Sequence, residues 1–145
     1  MKRPWNTLSE EGSASVELAL LTPVVLVVLA VVIAGGRIVG AHAALDTATT
    51  AAARAASLAR TAPAAHAAAS TTARDTLAQE GLHCGQQALA VDTGAFNAAL
   101  GTSDAVVVRA SCTVALADLA LPAMPGSVPL HSELTSPIDP FRGRT

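Results

Sequence analysis

The chain has 145 residues and a mass of 14.5 kDa, about the size of one domain, and 51% of it is hydrophobic while only 2% is aromatic. Most of the apolar residues are alanine and valine, whose small side chains bury little area each, and this argues against a large self-sufficient core. Lysine and arginine total 9 against 11 acidic residues, with no basic run, so nucleic-acid binding is disfavoured.

A single apolar segment accounts for much of this composition. Residues 18–36 (LALLTPVVLVVLAVVIAGG) carry no charge and are bounded by Glu17 and Arg37. As a helix they would extend roughly 28 Å, close to the hydrocarbon thickness of a bilayer, and within lipid a single segment must be helical to satisfy its own backbone. Lys2 and Arg3 precede the segment, which favours a cytoplasmic N-terminus and an extracytoplasmic C-terminal part.

Two other interpretations of this segment remain open. It could be a buried core helix, although the rest of the chain has few large apolar residues to cover it. It could also be a secretory signal peptide, because Ala41-His42-Ala43 has the small-x-small pattern of a cleavage site. The apolar run is longer than that of most signal peptides, and Arg37 stands between the run and the site.

The residues just before the span carry most of the functional information. A short polar leader reaches Gly12, and a lone carboxylate, Glu17, follows five residues later at the edge of the apolar segment. This arrangement resembles a type IV prepilin junction, in which cleavage between Gly12 and Ser13 would make Ser13 the first residue and Glu17 the fifth. A carboxylate at such a position is costly to bury without a partner, and the new amino group of a neighbouring subunit could provide one. Alternatively, Glu17 reaches the headgroups or favours the helix N-terminus.

Further motifs extend this resemblance along the chain. The stretch from Gly12 to Pro23 (GSASVELALLTP), then Gly36-Arg37, then residues 51–56 (AAARAA), are similar to the TadE-like family of pilus-assembly proteins, the minor pseudopilins of tight-adherence (Tad/Flp) systems. Looser similarity lies in the paired cysteines, in residues 118–122 and in residues 136–142. The resemblance implies a substrate of a prepilin peptidase that joins other pilins and pilus assembly proteins in an adhesive pilus, and that is itself no enzyme.

Beyond the span, the alanine-rich sequence to Arg60 favours continuation of the membrane helix outside the bilayer. Small residues recur there at three- and four-residue steps, either to pack neighbouring subunits or to be covered by a second helix of the same chain. These residues are Ile38, Ala41, Leu45, Ala48, Ala52, Ala55 and Ala59. Pro63 restarts the helix, and residues 64–80 read as a second helix that stops at Gly81.

Two strands are predicted next. Gln87, Leu89 and Val91 lie at every second position and predict one face of a first strand. Apolar residues at every second position from 106 to 116 form one face of a longer strand. Residues 93–104 connect the two strands and include a short helix with Phe96 and Leu100, and residues 128–134 add an edge strand. An antiparallel pair would bring Cys84 near Cys112, where a disulfide would stabilise the domain by roughly 3.5 kcal/mol; two free thiols are the alternative.

The expected fold is therefore α+β: a long N-terminal transmembrane helix that extends outside the membrane, a second helix, and a small antiparallel sheet with one disulfide. The domains are a leader over 1–12, a pilin-like helix over 13–62, an extracytoplasmic domain over 63–136 and a flexible tail over 137–145. No catalytic motif, metal site, cofactor or small-molecule substrate is predicted, since the histidines are scattered and His83-Cys84 is too small a ligand set. The predicted protein is a single-pass component of the bacterial cytoplasmic membrane and possible pilus subunit; the alternative function is an uncleaved anchor whose outer domain binds a partner.

Overall fold

The computed structural model describes residues 11–99, 101–119 and 125–141. Their elements are helix α1 (Glu11–Ser57), helix α2 (Ala62–Gln79), strand β1 (Gln86–Asp92), a single 3-10 turn (Gly94–Asn97), strand β2 (Ala105–Ala115) and strand β3 (Ser127–Pro137). The chain divides into two compact units, with the boundary between Gly36 and Arg37. The α+β class, the long apolar helix, the second helix and the antiparallel sheet predicted from the sequence are confirmed.

In the first unit, α1 is an apolar helix that contains Pro23. Its large hydrophobic side chains from Val16 to Ile33 are 48% to 69% exposed, so the described residues do not cover them. Helix α1 is long and apolar enough to cross a membrane. The alternative of a buried core helix is wrong, because none of the described residues packs over these side chains.

Helix α2 begins and ends at local signals in the sequence. The Thr61 hydroxyl accepts a hydrogen bond from the Ala64 N–H at 3.4 Å, and Pro63 occupies the first turn, where its missing N–H costs nothing. At the other end Gly81 adopts φ 67°, a left-handed conformation that glycine accepts without strain. The predicted restart and stop of the helix are thereby confirmed.

The three strands form one antiparallel sheet in the order β1-β2-β3. The central strand β2 alternates strictly, with Val106, Val108, Ala110, Cys112 and Val114 buried on the inner face, as its period of two predicts. Gln87 on β1 and Leu130 on β3 are the register partners of Cys112. The edge strand β3 is longer than the predicted 128–134.

The core of the second unit consists of small side chains in two clusters. One joins alanines of α1 and α2 to Val91, Phe96, Val106 and Val108. The other joins α1, through Leu45, to Leu77, Cys112 and Leu130. Because large apolar residues are scarce, this core is composed mainly of alanine and valine side chains from the helices and the sheet.

The last described residues are attached to the sheet. Ile138 is 4% exposed, and its N–H donates to the Asp104 carbonyl at 3.0 Å. The Gly101 N–H donates to the Pro140 carbonyl, also at 3.0 Å. The first residues of the segment predicted as a tail therefore close one end of the domain, while residues 142–145 lie outside the described part of the chain.

Candidate functional site

The predicted processing junction lies at the start of α1. Glu11 is the first described helical residue, and Gly12 and Ser13 follow it in the first turn. Glu17 lies on the next turn, four residues after Ser13, and is exposed. Most of the predicted leader, residues 1–10, lies outside the described residues. The junction thus consists of a glycine, the proposed new N-terminus and one exposed carboxylate immediately before the apolar span.

The small-residue stripe on the C-terminal part of α1, after Arg37, is covered by other residues of the same chain. Ala41, Leu45, Ala48 and Ala52 are between 0% and 7% exposed and belong to the two core clusters. Of the two interpretations of this stripe, the intramolecular one is correct and the packing of neighbouring subunits on it is wrong. Its last members also differ from the prediction: Ala56 is fully buried, while Ala55 and Ala59 are half-buried.

The two cysteines form the predicted disulfide. Cys84 and Cys112 have a Cα–Cα distance of 5.3 Å, within the range that a disulfide requires. Gln87 pairs with Cys112 in the antiparallel sheet, so Cys84, three residues before Gln87, lies close to Cys112 on the inner face of β2. Because Cys112 is 1% exposed, the bond anchors the α2–β1 connection directly to the core. Neither thiol is free, so the alternative is wrong.

The outer face of the sheet is polar and carries a cross-strand ion pair. Arg109 donates through Nε to Glu133 Oε2 at 2.8 Å and through Nη2 to Oε1 at 3.2 Å. The hydrogen bonds and negative charge of Glu133 raise the pKa of Arg109 above its ordinary value. A shallow groove beside this pair is lined by Ala88, Ala90, Ser111 and His131. Both charged side chains are more than half exposed, so the pair orders the surface and adds little to stability.

Groups that bind a metal do not cluster in residues 11–99, 101–119 and 125–141. No three His, Cys, Asp or Glu side chains come together there in a way that could hold a metal ion. His83 is next to Cys84, but the sulfur of Cys84 is bonded to Cys112. The sequence predicts the disulfide that the structure contains, while the junction stays a prediction. The Arg109–Glu133 pair was not predicted, although opposite charges on two alternating strands were the available signal.

Comparison with known proteins agrees with this geometry. No curated protein and no solved structure matches the chain. The family model described as TadE-like protein matches residues 12–54, from the junction through the apolar span and into the outer part of α1. This family consists of structural proteins of pilus assembly, and the match together with the apolar helix fits a membrane-anchored, pilus-associated protein. Over residues 12–54 the chain is therefore similar to the TadE-like family, as its sequence motifs predict.

Proposed function

We propose that this chain is a pseudopilin that a prepilin peptidase cleaves between Gly12 and Ser13, and that it then takes part in assembling an adhesive Tad/Flp pilus. The observation that carries the proposal is the match to the TadE-like family over residues 12–54, which starts at the proposed cleavage site. The apolar helix supplies the membrane anchor, with the N-terminus cytoplasmic and the disulfide-bonded domain outside.

Glu17 has a specific part in this function. Cleavage creates an ammonium group at Ser13, and a neighbouring subunit brings its own Glu17 carboxylate to that ammonium. The two charges pair within the apolar part of a helix bundle, where an unpaired carboxylate is costly, so the pair sets the axial register of adjacent subunits. The exposure of Glu17 on α1 supports this role, since its side chain is available to another chain.

Cleavage as an ordinary signal peptide after Ala43 is disfavoured by the packing of α1. The helix continues without interruption through residues 41–43, and Ala41 is 7% exposed within the second core cluster. Ile38 packs against the same cluster. A chain that began at Ala44 would lose both side chains from a core that is already composed of small residues.

The mature N-terminus tests the proposal. Intact-mass and terminal-peptide mass spectrometry of the protein from native membranes and from sheared surface filaments should identify Ser13 as the first residue. Deletion of the prepilin peptidase should restore a start at Met1, which is the matched control. A start at Met1 in peptidase-competent cells would refute the proposed processing and leave the alternative function, an uncleaved anchor whose outer domain binds a partner.

A further inference from the structure

The two edges of the sheet differ in how they meet solvent. Strand β2 lies in the centre, so β1 and β3 each have one side without a neighbouring strand in the described part of the chain. An open strand edge presents a row of N–H and C=O groups that can pair with another strand. The register of the sheet shows which residues carry these groups.

Two hydrogen bonds at the ends of the β2–β3 ladder fix the direction of the backbone groups. The Leu116 N–H donates to the Gly126 carbonyl, and the Ile138 N–H donates to the Asp104 carbonyl, each at 3.0 Å. Both bonds continue the β2–β3 register. Since the direction alternates along a strand, even-numbered residues of β2 bond to β3 and odd-numbered residues bond to β1.

On β1 the outward backbone groups belong to odd-numbered residues. Odd-numbered residues of β2 pair with even-numbered residues of β1, as Ser111 does with Ala88, so the N–H and C=O groups of Gln87 and Leu89 point away from the sheet. None of the described residues bonds to these groups. Gln87 is exposed and Leu89 is half-buried, whereas Val91 is buried. We call the open stretch around Gln87 and Leu89 the β1 edge.

The edge of β3 is closed by its sequence. Its edge-facing residues are also the odd-numbered ones, and they include Pro129 and Pro137. Proline has no N–H to offer to an added strand. Glu133, between the two prolines, adds a charge that is paired with Arg109. The β1 edge has neither a proline nor a charged residue at its edge-facing positions.

A groove between α2 and β1 adjoins the β1 edge, because Gln87 belongs to both. It is lined by Arg74, Leu77 and Ala78 of α2, by Leu82 and His83 of the connection, and by Gln87. None of the described residues that line it is acidic, and the salt bridge found among the described residues joins Arg109 to Glu133 instead. A strand added at the β1 edge would direct every second side chain into this groove.

We propose that the β1 edge accepts an extended segment of a second protein as a fourth strand, with apolar side chains of that segment in the groove and an acidic one beside Arg74. The backbone groups of Gln87 and Leu89 provide the attachment, and the groove selects the side chains. This inference goes beyond the proposed function and does not depend on whether the chain starts at Met1 or Ser13.

A second copy of this chain does not offer such a segment among its described strands. The inner face of β1 consists of Gln87, Leu89 and Val91, which include no carboxylate. The edge of β3 is interrupted by Pro129 and Pro137. The occupant is therefore a different polypeptide, with apolar residues at alternate positions and an acidic residue among them.

A pair of synthetic peptides tests the charge preference of the groove. The fluorescent, end-blocked peptide Thr-Val-Thr-Glu-Thr-Leu-Thr is titrated against the full chain in mild detergent and followed by anisotropy, beside the same peptide with lysine in place of glutamate. The native protein should prefer the glutamate peptide by about three- to tenfold, and Arg74→Glu should reverse the preference. The matched control is Arg60→Glu, an exposed arginine just before the other end of α2. Equal affinities for the two peptides, or a preference that Arg74→Glu leaves unaltered, would overturn the proposal.

A proline substitution tests the backbone pairing. Gln87→Pro removes an N–H that the chain itself does not use, whereas Gln87→Ala keeps it. The first should weaken binding of the glutamate peptide by about tenfold, and the second by less than about twofold. Hydrogen exchange of the native protein gives the same test without a substitution: the peptide should protect the Gln87 and Leu89 amides and leave the His131 amide at the β3 edge unprotected. Protection at His131 alone, or at none of the three, would refute strand addition at β1.

Photo-cross-linking identifies the partner in native membranes. Ala78 lines the groove and is exposed, so a photoreactive amino acid at this position should link the full chain to one segment of another protein. Mass spectrometry should map the link to an extended segment of the stated composition, and Gln87→Pro should abolish it. A link to a second copy of this chain, a link that persists in Gln87→Pro, or no link at all would refute the proposed occupant.

Discussion

Leu45 in α1 and Leu130 in β3 lie in the same core cluster, and each is only 1% exposed. Residues 37–57 of α1 are thus an integral layer of the second unit. A hydrogen bond also joins α1 to β3: the Ser136 hydroxyl donates to the Ser57 hydroxyl oxygen at 3.0 Å. Stability of the second unit therefore depends on the contacts of the C-terminal part of α1 as well as on the sheet.

Truncation of Leu130 should destabilise the domain strongly. We expect Leu130→Ala to lower the free energy of unfolding by about 2–5 kcal/mol, because it removes buried methyl groups and leaves a cavity among side chains too small to fill it. Urea unfolding of the full chain in detergent, followed by circular dichroism, measures the change. Leu58→Ala is the control, since Leu58 is 79% exposed and its loss should change little. Equal effects of the two variants would contradict the assigned core.

Removal of the disulfide should have a comparable effect. The bond closes a loop with a sequence separation of 28 residues, which in the chain-entropy model corresponds to about 3.5 kcal/mol of stability. The double variant Cys84→Ala/Cys112→Ala should unfold at a correspondingly lower urea concentration. A reducing agent should lower the urea midpoint of the native protein and leave the midpoint of the variant unchanged. Insensitivity of the native protein to complete reduction would show that the bond does not stabilise the domain.

Enlarging the covered side of α1 should disturb the fold, while enlarging its exposed side should not. Ala48 is 1% exposed, so Ala48→Leu overfills the core and should cost about 1–3 kcal/mol of stability. The control is Ala43→Leu, five residues earlier on the exposed side of the same helix, which should leave the urea midpoint nearly unchanged. The reverse ranking of the two variants would contradict the orientation of α1 on the sheet.

Loss of the Glu17 carboxylate should affect assembly without affecting membrane insertion. Glu17→Ala should fractionate with membranes in the native amount, because the apolar span is unchanged, but should be depleted from sheared filaments or from complexes with pilus assembly proteins. Immunoblots of the membrane and sheared fractions measure both quantities, and Asp75→Ala on α2 serves as the control for loss of an exposed carboxylate. An unchanged yield of assembled Glu17→Ala protein would exclude the proposed pairing with Ser13.

The Arg109–Glu133 pair should matter little for stability at neutral pH. Because the hydrogen bonds and charge of Glu133 raise the pKa of Arg109, the small stabilisation from this arginine is fully present at neutral pH. It is lost only as the pH rises through that raised pKa, far into the alkaline range. Arg109→Met should leave the melting temperature near neutrality within experimental error, in both low and high salt. A large, salt-sensitive decrease would show that the exposed pair contributes more than its geometry indicates.

Several features of this protein follow from local sequence alone. The span over residues 18–36 is predictable because a bilayer surrounds a helix on every side, so hydropathy and length are sufficient. The limits of α2 follow from Thr61, Pro63 and Gly81, whose effects act on the adjoining backbone. The inner face of β2 follows from the period of two along the strand.

Tertiary structure decided which surfaces are covered. The stripe through Ala41, Ala48 and Ala52 has the same sequence pattern whether it faces another subunit or its own domain, because small side chains permit close approach to either. Only the packing of the sheet and α2 with α1 assigns this stripe to the core and leaves Asp46 and Arg54 exposed. The extent of β3, and the pairing of Arg109 with Glu133, likewise depend on the register between strands, which a single strand's pattern does not contain.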